Sequence, residues 1–272
     1  MNLSYQNDSK LKKMFVAEIV KHREADQIIQ GTYGEDNVKF KGCAVGCSIH
    51  SLNIKLGKNY DTNDHAALAR EILGGEQNEW LAQLEDTIFE GLSVEKSKLW
   101  PEQFAKAIPV GARLEPVKFA FCAYLMRENI ERVLSLDIDA KLKKQVVDAI
   151  GQVLAVHEDA IRTGIWDKLA AESAGSAAES AESAARSTAS EVSAVIAWSA
   201  GWSAAWSAAS AAESVGSAEN VGNAVWSAVY GIVESAEGVE SARNITYTRY
   251  STELLRLITN STKQDQGFPL LV

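Results

Sequence analysis

The chain has 272 residues, 46% of them hydrophobic, enough to bury one large core or two small ones. The formal net charge of −9 and a pI of about 5.1 argue against a surface that binds duplex DNA directly. Three cysteines (Cys43, Cys47 and Cys122) and a polar start, MNLSYQNDSKLKK, without the apolar run of a secretory leader, predict free thiols and a cytoplasmic protein.

Leu11, Phe15, Ile19 and His22 recur at helical spacing, and the run to Gln30 predicts a first helix closed by Gly31. NVKFKG, before Cys43, alternates polar and apolar residues and predicts a short strand. TNDHAALAREIL offers Thr62, Asn63 or Asp64 as the N-cap of another helix. Trp80, Leu81, Leu84, Ile88 and Phe89 form one apolar face that stops near Gly91. Pro101 suits the first turn of a short helix running to Ala107. VKFAFCAYLMRENIERVL and AKLKKQVVDAIGQVLAVHEDAI read as two amphipathic helices joined by a turn at 135–139.

No proline interrupts residues 117–268, so helix is expected almost throughout. From Ala170 the composition shifts to serine and alanine. Serines at 173, 176, 180, 183, 187 and 190 follow alternating steps of three and four, a heptad rhythm built from small residues. Such seams let helix backbones approach closely. Breaks are expected near 215–223 and near Gly238. Residues 169–243 carry nine glutamates and only two bases, Arg186 and Arg243, so this stretch holds −7 of the −9.

The fold class expected is mainly α: a compact helical front domain with at most a few short strands, then an Ala/Ser-rich close-packed helical bundle. The expected divisions are a front domain at 1–115, an amphipathic helix pair at 116–165, the bundle at 166–262 and a tail at 263–272. Residues 192–212 lack formal charge and match a bilayer span in length. Their Ala and Ser content, without flanking Lys or Arg, predicts a buried helix and no membrane partner.

GCAVGCSIH, residues 42–50, admits three readings. On a helix Cys43, Cys47 and His50 would share one face and could ligate a metal. Cys43 at a helix start could be an activated nucleophile, with His22 or His65 as base and Glu24 or Asp26 orienting it. The first reading, though, is tight packing by small residues, since free cysteine behaves as a small buried hydrophobe. Neither a metal nor a cofactor is expected. His22 and Arg23 could meet an anionic group. Trp198, Trp202 and Trp206, spaced i, i+4, i+8, form a stripe that either seals the small-residue helices against the front domain or offers an aromatic surface to a partner protein or a flat ligand. The candidate ligand-binding set is thus His22, Arg23, Glu24, Cys43, Cys47, His50, Trp198, Trp202 and Trp206. No P-loop, dinucleotide fingerprint or GxSxG elbow is present.

MF-x-A-x-I-x-x-HREAD-x-II-QG (14–31), KGCAVGCSIHS (41–51), DHAALARE (64–71) and EWLAQLEDTIFEGL (79–92) resemble a family of uncharacterised tailed-phage and prophage proteins. Members have a similar front half and an Ala-rich tail of variable length. The resemblance covers roughly residues 14–115 and carries no catalytic residues. It implies an accessory protein in the host cytoplasm that binds a host component, either a defence protein or a nucleotide-derived immune signal. A thiol-dependent Cys/His enzyme and a virion structural or assembly protein are the alternatives. Close-packed small-residue helices also lead us to expect a homo-oligomer.

Overall fold

A computed structural model describes residues 3–34, 39–187, 196, 199–204, 206, 207, 223, 227 and 239–261. Among these the chain is helical; the expected strand before Cys43 is reduced to an isolated parallel bridge between Ile28 and Gly42. The elements are α1 (Ser9–Glu24), α2 (Ala44–Leu56), α3 (His65–Glu71), α4 (Glu79–Gly91), α5 (Val94–Ser97), α6 (Trp100–Ala107), α7 (Glu115–Ser135), α8 (Ala140–Thr163), α9 (Lys168–Ser187) and α10 (Val239–Thr259). They form two compact units. The first takes residues up to Val117 and resumes at Tyr247; the second takes Lys118 to Thr246.

In the first unit the chain enters through a left-handed turn. Tyr5, Gln6 and Asn7 have φ of 50°, 51° and 57°, a region costly for residues with a Cβ. Several bonds hold it there. Ser4 N–H donates to Ala112 O, Tyr5 N–H donates to Ile72 O at 2.7 Å, and the buried Tyr5 hydroxyl donates to Ala105 O at 2.6 Å. Asp8 then caps α1 by accepting from Lys10 N–H at 2.7 Å.

Helix α1 ends at Glu24, short of the expected Gly31. Asp26 takes φ 53°, Gln27 N–H donates to His22 O and Asp26 N–H donates to Arg23 O. This is a Schellman closure with aspartate in the left-handed position that glycine usually fills. Asp64 proves to be the cap of α3, accepting from Ala67 N–H at 2.8 Å. Pro101 sits in the first turn of α6 and α4 closes at Gly91, both as the sequence implies.

Helix α10 closes this unit. Tyr247, Tyr250, Leu254, Leu257 and Ile258 are all buried, a stripe at helical spacing. Burial of each contributes roughly 2 kcal/mol before entropy is counted. Gly91 makes room for one of them, since a Cβ there would lie 2.3 Å from the Tyr247 ring.

The second unit is built on the α8–α9 hairpin, turned at Gly164 with φ 70°. Val146, Ile150, Val153, His157 and Ala160 face inward from α8. From α9 the inward residues are Ala171, Ala174, Ala178, Ala181 and Ala185. The small-residue seam is real, but in α9 the alanines form it while Ser173, Ser176, Ser180, Ser183 and Ser187 face outward. The phase reverses further on: Ser199, Ser203 and Ser207 are buried. Ser199 donates to Ser227 O at 2.9 Å. Gly201, a possible turn by sequence, is helical, and a Cβ there would lie 3.2 Å from the Glu182 backbone. It therefore serves close approach. The breaks expected near 215–223 and at Gly238 fall on residues outside the described set, Asn223 apart.

Candidate functional site

The start of α2 is organised around the glycines of GCAVGC. Cys43 is the N-cap, with Sγ accepting from Gly46 N–H at 3.4 Å. The Tyr33 segment crosses the first turn of the helix: Cys43 N–H donates to Thr32 O at 2.7 Å, and Tyr33 O lies against Gly42 and Gly46. Cys43 is 1% exposed and Cys47 is fully buried. The Cys47 thiol donates to Gly42 O at 3.4 Å.

These surroundings oppose the activation that a helix start alone would confer. Helix start and Gly46 N–H favour a thiolate on Cys43, yet burial first, and the Asp86 carboxylate second, push its pKa far up. Burial also pushes Cys47 up to about 12. Both thiols hold their protons at neutral pH, the reverse of a reactive cysteine.

His22 and His65 are engaged by groups other than the thiol. His22 is 6% exposed, and burial lowers its pKa. Its Nδ1 lies 2.8 Å from Gln27 Oε1, an acceptor, so Nδ1–H is the donor there. The neutral ring then accepts at Nε2 from the Ser51 hydroxyl, 3.1 Å away, a hydroxyl that also lies 2.9 Å from Cys47 O. His50 stacks on Phe40 at 3.9 Å and meets the His22 ring edge-on at 5.3 Å. Arg23 turns to Glu102 at 3.2 Å, with Glu24 at 3.9 Å. His22 and Arg23 thus face different surroundings and do not form a joint anion clamp.

Asp86 of α4 gathers what the sequence left scattered. Its Oδ2 accepts from the Tyr33 hydroxyl at 3.0 Å and lies 3.7 Å from His65 Nε2. Tyr33 and His65 meet edge to face at 5.7 Å. His65 and Cys43 therefore share a carboxylate rather than a proton. Beside it, Glu85 is 2% exposed, its Oε2 has no hydrogen-bond partner, and burial together with Asp86 raises its pKa well above the carboxylate range. The sequence held a signal for this. Glu85 stands four residues after Leu81 and three and four before Ile88 and Phe89, in the middle of the apolar stripe.

An opening in the first unit lies elsewhere. A groove of about 520 Å³ runs along α10, lined there by Thr248, Ser251, Thr252, Leu255, Arg256, Thr259 and Asn260. Leu92, Lys96, Leu99 and Gln103 form the opposite wall. Lys98 and Leu99 keep right-handed helical angles between α5 and α6, so the part of this wall that carries Lys96, Leu99 and Gln103 is nearly one kinked helix. Lys96 Nζ donates across the groove to Thr248 Oγ1 at 2.7 Å. No carboxylate pairs with Lys96 among the described residues, whereas Arg256 is engaged by Glu253.

In the second unit, Trp202 and Trp206 are half-buried and meet edge to face at 6.0 Å; Trp198 lies outside the described residues. His157 is fully buried against Ser207 Oγ at 2.9 Å, and burial lowers its pKa to about 3. Among the described residues no group of three His, Cys, Asp or Glu is placed to hold a metal, and no helix is long and apolar enough to cross a membrane. No protein-family model matches the chain, nor does any curated protein or solved structure.

Proposed function

We propose that the protein works by binding a host component and not by thiol chemistry, with the groove along α10 as the receiving surface. The observation that carries this reading is the contrast between two places. Cys43 and Cys47 are sealed and protonated beneath the Tyr33 segment, while the groove presents leucines, hydroxyls and an ammonium that no carboxylate among the described residues pairs with. Apolar walls with a few placed polar groups, at this volume, are the usual make-up of a binding site. The resemblance of residues 14–115 to tailed-phage accessory proteins supports a role in counter-defence within the host cytoplasm. The bound component is then a defence protein or a nucleotide-derived immune signal.

The test is phage plating on a defended host that makes the protein. The intact chain and Cys43→Ala should both restore plating, and Leu255→Asp should abolish it. Loss with a folded Cys43→Ala and retention with Leu255→Asp would reverse the assignment in favour of the thiol enzyme.

A further inference from the structure

We infer that the occupant of the groove is an amphipathic α-helix of a partner protein, apolar on the face that enters and acidic on the flank that meets Lys96. The inference rests on the groove being the binding surface. Its walls have helical pitch: residues 96, 99 and 103 on one side follow steps of three and four, with Leu92 joining them from the extended backbone after α4. On α10 the lining residues run from Thr248 to Asn260 along a single face. Twelve helical steps extend about 18 Å, the length of a three-turn helix. A trough between two helices is the shape into which a third helix lays its apolar side, with Lys96 exchanging its Thr248 contact for one to the incoming helix.

The chemistry of the walls agrees. Leu92, Leu99 and Leu255 offer the apolar floor, and Leu99 is 43% exposed. Thr248, Ser251 and Thr252 are short, which lets a backbone come close. Among the described residues no aromatic ring lines the groove to stack on a base and no glycine-rich loop cradles a phosphate, so a nucleotide lacks its usual partners among them. Lys96 supplies the charge preference. A carboxylate on the incoming helix completes an ion pair that the described residues leave unmade, and a lysine in that place repels it.

Fluorescence anisotropy with the full chain tests this, using three labelled helical peptides that share one leucine face and carry Glu, Gln or Lys at every flanking position. Affinity should fall in the order Glu, Gln, Lys, by about threefold per step at low salt, and the steps should shrink as salt screens them. Leu255→Asp should remove binding of all three. Leu99→Asp, at a more exposed position, should do the same if the first variant fails to fold. Lys96→Glu should invert the order. Equal affinity for the three peptides, or none at all, overturns the inference. If no peptide binds while plating still separates Leu255→Asp from Cys43→Ala, the groove remains the binding surface and the helical occupant is wrong. If Leu255→Asp instead lowers the protein's mass in solution, the occupant is a second copy of this chain.

Discussion

Gly46 lies directly beneath the Tyr33 carbonyl: a Cβ at this position would be 1.7 Å from that oxygen. Backbone cannot yield as a flexible side chain does, so Gly46→Ala must lift the Tyr33 segment off α2. The expected loss exceeds about 2 kcal/mol, read as a shift in the urea midpoint. Gly151 provides the contrast. It is inside α8 with nothing within 4 Å of its added Cβ, so Gly151→Ala should stabilise by about 0.5–1 kcal/mol.

Glu85 should make the protein more stable when it is replaced. Its folded pKa is raised, so the stability linked to its proton is complete below the unfolded value near 4.5. That share is lost as pH rises, at up to about 1.4 kcal/mol per pH unit until the folded pKa is reached. Glu85→Gln keeps the shape and removes the titration. Its advantage over the intact chain should be small at pH 4.5 and grow toward pH 7.5. Urea midpoints at the two pH values read it directly, and a constant gap would refute the assignment.

His157 titrates in the opposite sense of pH. A base whose folded pKa is about 3 favours the folded state fully above the unfolded value near 6.5. That contribution falls as pH drops from 6.5 toward 3, again by up to about 1.4 kcal/mol per unit. His157→Gln should flatten this limb of the pH–stability curve. An unchanged slope in the variant would show that other groups carry the acid response.

The two thiols should alkylate only when the first unit opens. At pH 7.5 iodoacetamide labelling of Cys43 and Cys47, followed by peptide mass spectrometry, should keep pace with unfolding and accelerate in sub-denaturing urea. Labelling complete within minutes in buffer would contradict the buried, protonated state.

What the chain disclosed about itself depended on whether the cause was local. Asp64, Pro101 and Gly91 act within one helical turn, and each could be placed from the sequence. The end of α1 could not, because Asp26 fills a position where glycine is the rule and Gly31 stood nearby as a decoy. The serine rhythm disclosed the period and left the phase open in α9, since alanine and serine repeat at the same spacing and composition does not say which faces in. Asp86 was invisible as a hub because Tyr33, Cys43 and His65 reach it from separate segments. The groove is the extreme case. Its walls, at 92–103 and 248–260, are brought together only by the tertiary fold.

The return of α10 into the first unit also governs how this protein is made. Tyr247, Tyr250 and Leu254 complete a core whose other members were translated before residues 118–246. At ordinary elongation rates that interval lasts on the order of ten seconds. The nascent front half must wait for α10 to emerge from the ribosome before it can close. During that wait the groove does not exist.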